Sequence, residues 1–125
     1  MNLLLDTHTL IWTFAGDPTL GDAARSAIVS PENLVFVSAA SIWEIAIKRA
    51  LGKLRVPDDV NEQISAHGFE KLPIDGEHAW LAGNLPVHHR DPFDRMLVAQ
   101  AQIEGMKLVS RDGAFDASGI PRPAA

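Results

Sequence analysis

The chain reads as an α/β domain with a mainly parallel sheet of four to five strands. Three observations predict this. Short apolar runs alternate with longer helical stretches, as in repeated strand–helix units. Runs such as Leu3-Leu4-Leu5 and Leu34-Val35-Phe36-Val37 have no polar alternation, so both faces must be covered. Gly, Pro and Ser punctuate the helical stretches at their ends.

Taken in order, residues 2 to 6 make the first strand. Thr7 to Ala15 is helical and ends at Gly16. Asp17-Pro18 opens a second helix, with Asp as N-cap and Pro in the first turn. It runs to about Val29, where Ser30-Pro31 stops it. Leu34 to Val37 is the second strand. Ala40 to Leu51 is a helix closed by Gly52. It is apolar almost all round, with a polar seam at Ser41, Glu44 and Lys48. Such a helix is expected to be buried on more than one side, centrally or at a dimer interface. Pro57 and Asp58 open a weaker helix to about His67. Phe69 to Ile74 is the third strand and Gly76 to Leu85 another helix. Pro86 to Arg90 is loop. Pro92 to Glu104 is a helix capped by Asp91 and closed by Gly105. Lys107 to Ser110 is the fourth strand, and residues 116–125 form an irregular tail.

At 125 residues, the whole span 1–125 is expected to be one domain. Its hydrophobic content of 46% suffices for a core at this length. No apolar run is long enough to cross a bilayer. The sequence starts directly on a strand, so no signal peptide is expected. There are no cysteines, which excludes disulfides and zinc–thiolate sites and suits a reducing cytoplasm. The formal net charge of −5 argues against gripping nucleic acid through overall positive charge. It leaves room for a nuclease, because metal-binding carboxylates add negative charge and a local basic strip can hold phosphates.

Four acids stand at turning points of this pattern: Asp6, Glu44, Asp94 and Asp112. Each has an ordinary structural reading. Asp6 can N-cap the first helix. Ser41-Ile42-Trp43-Glu44 fits a capping box, and Glu44 can pair with Lys48 one turn on. Asp94 lies in a first helical turn, where the helix dipole favours negative charge. Asp112-Gly113 reads as a turn. As a set they point elsewhere. A parallel α/β sheet gathers such junctions along one edge, where ligands bind. Carboxylates brought together repel unless a cation sits between them, and oxygen donors suit magnesium or manganese. A metal-activated water attacking a phosphodiester is the chemistry such a site would support.

Other residues carry weaker signals. His8 follows Asp6 and can touch substrate, though a helix-start histidine is more often structural. His88 and His89 are adjacent, point apart, and read as a solvated loop. Lys48, Arg49, Lys53 and Arg55 form a basic cluster that is either a solvated face or a phosphate-holding strip. Trp12, Trp43 and Trp80 read as core or interface. Arg90, Arg95 and Arg111 neighbour the acids and can screen them or hold phosphate. Thr7 and Ser110 can hydrogen-bond metal waters.

Four segments also resemble the PIN-domain family, and within it the VapC-type toxins of bacterial type II toxin–antitoxin systems. They are Met1-Asn2-Leu3-Leu4-Leu5-Asp6-Thr7-His8, Ser38-Ala39-Ala40-Ser41-Ile42-Trp43-Glu44-Ile45, His89-Arg90-Asp91-Pro92-Phe93-Asp94-Arg95-Met96 with the residues to Ala101, and Leu108-Val109-Ser110-Arg111-Asp112. The Asp-Pro-Phe-Asp-Arg block is the most specific, and all four occur in register. The resemblance implies a PIN-like Rossmannoid α/β/α sandwich. It implies a magnesium- or manganese-dependent endoribonuclease whose main acids are Asp6, Glu44 and Asp94, with Asp112 the more variable fourth. Asp91 is implied as a supporting cap. Homodimers and a cognate antitoxin that blocks the site are implied as well. One departure is visible. Such proteins commonly end in a short apolar strand, whereas residues 115–123 are broken by Gly119, Pro121 and Pro123, leaving little of a fifth strand.

Three rival readings stand beside this one. An aspartyl-phosphate phosphatase needs a second Asp two residues after the nucleophile, and here that position is His8. A receiver-like signalling domain pairs acids after the first strand, where this chain has only Asp6. A PIN-like binding module without cleavage would keep the same pattern.

Overall fold

The computed structural model describes residues 1–86 and 91–110. Four strands, β1 (Asn2–Leu5), β2 (Leu34–Ser38), β3 (Glu70–Leu72) and β4 (Lys107–Val109), pair in the order β3-β2-β1-β4. All three pairings are parallel, with Leu5 opposite both Val37 and Val109. The helices are α1 (Thr7–Ala15), α2 (Asp22–Val29), α3 (Ala39–Ala50), α4 (Val60–Ala66), α5 (Gly76–Gly83) and α6 (Pro92–Glu104).

The central strand explains the layering. Leu3, Leu4 and Leu5 are completely buried. Because successive side chains in a strand point to opposite faces, Leu3 and Leu5 go one way and Leu4 the other. Leu3 and Leu5 pack with Leu10 of α1, Ile28 of α2, Ile45 of α3 and Ile64 of α4. Leu4 packs with Leu97, Val98 and Ala101 of α6, together with Met106 and Leu108. Helix α5 lies against α6. The result is the expected α/β/α sandwich. Burying each such leucine contributes about 1.5–3 kcal/mol, so this three-residue run does much to fix the sheet's centre.

Most boundaries follow the sequence. Helix α1 ends where Gly16 takes φ +62°, and α6 ends where Gly105 takes φ +67°, left-handed conformations that glycine adopts without cost from a Cβ. Three expectations are corrected. Helix α2 starts at Asp22 with Gly21 as N-cap; Asp17 instead closes a turn by accepting from the Thr19 amide at 2.8 Å. The cap of α3 is Ser38, whose hydroxyl accepts from the Ala40 amide at 3.0 Å. Ser41 and Glu44 therefore form no capping box and are left for other work. Helix α3 is also not central: Ala40, Ser41, Glu44 and Ile45 are buried, while Trp43, Ile47 and Leu51 face outward. The tail, and any fifth strand within it, lie outside the described residues.

Candidate active site

The parallel register brings the carboxyl ends of β1, β2 and β4 to one edge, and the side chains that follow them meet there. Asp6 leaves β1 and becomes the N-cap of α1. Its Oδ1 accepts from the Thr9 amide at 2.7 Å, and its Oδ2 accepts from the Ser110 hydroxyl at the end of β4. The backbone repeats the connection, the Asp6 amide donating to the Val109 carbonyl at 3.2 Å. Asp6 is only 5% exposed. The capping role is thus real, yet it occupies one oxygen and leaves a negative charge at the sheet edge.

Glu44 reaches the same edge from α3 and is also 5% exposed. Thr7, the next residue after Asp6, donates its hydroxyl proton to Glu44 Oε1 at 2.6 Å. Thr7 Oγ1 also lies 3.1 Å from Ser41 Oγ. A threonine has one hydroxyl proton and a carboxylate can only accept, so the Ser41 proton fills this second contact. The chain Ser41–Thr7–Glu44 thereby locks the Glu44 carboxylate next to the Asp6 backbone. On its other side Lys48 donates to Glu44 Oε2 at 2.6 Å, the i,i+4 pair expected on one helix face.

Asp94 arrives from the far helical layer. Asp91 caps α6, its Oδ1 accepting from the Phe93 amide at 2.8 Å and the Asp94 amide at 3.2 Å. Helices α3 and α6 are in contact, and the rings of Trp43 and Phe93 meet edge-on with centroids 5.3 Å apart. Those two aromatics directly neighbour Glu44 and Asp94 in sequence, so the contact joins the helices that carry the two acids. The Lys48 amine registers the cluster. Its hydrogen bond to Glu44, with the charges of Glu44, Asp91 and Asp94 behind it, holds it above the ordinary lysine value, against the opposing effect of burial. Asp112 lies outside the described residues, two positions beyond Ser110.

The donor set fits a hard divalent ion. Among the described residues, Asp6, Glu44 and Asp94 offer carboxylate oxygens and Thr7 and Ser110 offer hydroxyls, all hard donors. The Lys48 ammonium is a stand-in cation already drawn to the place where positive charge is wanted. Supporting hydroxyls that orient carboxylates are what such ligands require.

The basic residues divide. Arg49 pairs with Asp58 and donates to the Val56 carbonyl at 3.2 Å, and Lys53 is exposed in the turn after α3. Arg95, expected to screen the acids or hold phosphate, is engaged within the protein. Its guanidinium donates to the carbonyls of Ala82, Gly83, Leu85 and Pro86, closing the end of α5 and the turn after it. His8 is exposed beside Trp12. His88, His89, Arg90 and Arg111 lie outside the described residues.

The chain also matches a known family. Residues 3–119 match the family model described as PIN domain. The chain belongs to the PIN domain family. Over 125 residues it is 30% identical to a protein named Ribonuclease VapC22 from Mycobacterium tuberculosis, covering 97% of this chain and 95% of that one. Two solved structures share the PIN fold at lower identity. VapBC2 from Rickettsia felis, bound to a DNA fragment from its promoter, has a TM-score of 0.68 at 13% identity, covering 98% of this chain and 96% of the other. FitAcB from Neisseria gonorrhoeae has a TM-score of 0.64 at 18% identity, covering 96% and 95%.

A second polar cluster escaped the sequence reading. Asp75, His78 and Glu104 place possible ligand atoms within 4.8 Å of one another. Both ring nitrogens of His78 are already engaged. Nδ1 accepts from the Asp75 amide at 3.1 Å, and Nε2 meets Glu104 Oε2 at 2.8 Å. The first contact completes a capping box for α5; the second ties α5 to the end of α6. Glu104 is ten residues from Asp94 along α6, about 15 Å at 1.5 Å per residue, so this cluster is separate from the PIN edge. The Asp-x-x-His cap spacing was readable, whereas the Glu104 partner depends on the packing of two helices. Among the described residues no helix is long and apolar enough to cross a membrane.

Proposed function

We propose that this PIN chain is the toxin of a type II toxin–antitoxin pair, a metal-dependent endoribonuclease built as a single domain over residues 1–125. The observation that carries the reading is the pair of buried carboxylates, Asp6 and Glu44, each anchored by a hydroxyl from a different element at one sheet edge. Buried acids so arranged call for a cation.

Asp6, Glu44 and Asp94 hold magnesium or manganese directly or through water, and Asp112 assists. When bound, the ion acidifies a water for attack on the phosphodiester and offsets charge that develops on the phosphate. The protein's share is positional. Thr7 fixes Glu44, Ser110 fixes Asp6, and Asp91 caps the turn that presents Asp94. No side chain serves as nucleophile. Lys48, Arg49 and Lys53 are candidates for contact with the RNA backbone.

The relative named as a ribonuclease and the structures of VapBC assemblies support an RNA substrate and a cognate antitoxin for this chain. A homodimer, alone or within a complex with the antitoxin, is supported by large apolar side chains left outward: Trp43 is 62% exposed and Trp80 78%. A cytoplasmic location agrees with the absence of cysteine.

The test is reversal by chelation. Purified protein should cut RNA in magnesium or manganese, stop in excess EDTA, and resume when the ion is restored. Cutting that persists in EDTA would remove the metal from the reading.

A further inference from the structure

Both oxygens of Glu44 are already engaged, and the two partners differ in their freedom. Thr7 holds Oε1 from the buried first turn of α1, with its hydroxyl on a short, stiff side chain. Lys48 holds Oε2 at the end of a flexible four-carbon stem, with its side chain 39% exposed. A divalent ion on Glu44 would share the carboxylate with a second cation, and the two repel. Thr7 cannot withdraw without shifting α1, whereas Lys48 can swing toward solvent. Two of the acids whose charge attracts its ammonium, Glu44 and Asp94, are among those whose charge an ion would offset.

We propose that Lys48 is an exchangeable counter-ion of the acidic edge: it balances Glu44 before the ion binds, yields its place to the ion, and then contacts the phosphodiester backbone of the RNA. The inference rests on the metal-dependent reading above and adds to it a named group that leaves and a place for it to go. With the acids offset, the nearest strong negative charge for a lysine one helical turn from Glu44 is the substrate's phosphate. Lys48 would be a positioning residue for Glu44 in the metal-free protein and a substrate-binding residue in the loaded one.

Two readings separate the possibilities. Free Mn²⁺ is counted by its electron paramagnetic resonance signal during titration of wild type, Lys48→Met and Lys48→Arg, and KM for RNA cleavage is measured on the same proteins. Met keeps the apolar stem and removes the charge. The expected result is Mn²⁺ binding about two- to fivefold tighter in Lys48→Met, the worth of one half-exposed ion pair. Lys48→Arg should stay close to wild type, and KM for RNA should rise several-fold in Lys48→Met. Equal or weaker Mn²⁺ binding in Lys48→Met would overturn the exchange, and an unchanged KM would overturn the phosphate contact. Wild type that binds no Mn²⁺ at all would overturn the metal reading itself, a failure visible before any variant is compared.

Discussion

The Thr7 hydroxyl donates to Glu44 Oε1 at 2.6 Å, joining the first turn of α1 to the second turn of α3 across 37 residues of chain. Thr7 immediately follows Asp6, so one backbone step sets the spacing between two acids that come from different elements. Thr7→Val keeps the shape and removes the proton. It leaves a buried carboxylate oxygen without its partner, which should cost about 1–3 kcal/mol in denaturant unfolding. Cleavage should fall about 10- to 100-fold, as for other groups that orient a metal ligand. Thr7→Ser should recover most of both. Full activity in the valine variant would show that Glu44 needs no anchor.

Asp6→Asn separates capping from charge. Asparagine caps as well as aspartate. Its Oδ1 can keep the Thr9 amide while its Nδ2 donates to Ser110, which can accept. Stability should therefore change little, while metal-dependent cutting drops about a hundredfold or more. A melting temperature that collapses with the activity would return Asp6 to a purely structural role.

Metal should also be visible without substrate. An ion that binds only the folded protein raises its stability, by about 2.7 kcal/mol when present at a hundred times its dissociation constant. Thermal melts with rising Mn²⁺ should climb in wild type and stay flat in Asp6→Asn. Identical curves would mean that the ion binds elsewhere, the Asp75–His78–Glu104 cluster being the next place to look.

Arg95 is expected to matter for folding. It binds four carbonyls through one planar fork, which a lysine cannot reproduce. Arg95→Lys should lose about 1–3 kcal/mol in urea unfolding. The salt dependence of RNA binding should not change. A reduced salt slope with unaltered stability would instead place Arg95 on the RNA.

The outward face of α3 makes a prediction about assembly. Trp43→Asp should convert the proposed homodimer to a monomer in multi-angle light scattering while the monomer stays folded, because Trp43 is 62% exposed. A dimer that survives the change would move the interface to another face.

Much of this was legible in the sequence, for identifiable reasons. Helix α6 is bounded by local chemistry alone, Asp91 and Pro92 at one end and Gly105 at the other, and the expectation matched the structure residue for residue. The unbroken run Leu3-Leu4-Leu5 announced a strand covered on both faces. Errors arose where two local signals competed. Ser41 matched a capping box, yet Ser38 sits where β2 ends and takes the cap, which turns Ser41 inward toward Thr7. Asp17-Pro18 looked like a helix start, but its side chain closes a turn around Thr19 and the helix waits until Asp22. Long-range partners left no local trace: nothing near Arg95 names the Ala82 carbonyl, and nothing near Asp6 names Ser110. Trp43 and Trp80 were read as core or interface, and their exposure in the single chain removes the first option.

The most direct test is cleavage of a structured RNA pool by wild type and Asp94→Asn, side by side in magnesium, manganese and EDTA. Asp94 is proposed to join the site from the opposite helical layer, so its loss probes whether the acids act as one centre. Wild type should cut in either ion and not in EDTA, and the variant should lose about a hundredfold or more. Equal cutting by both proteins would contradict this.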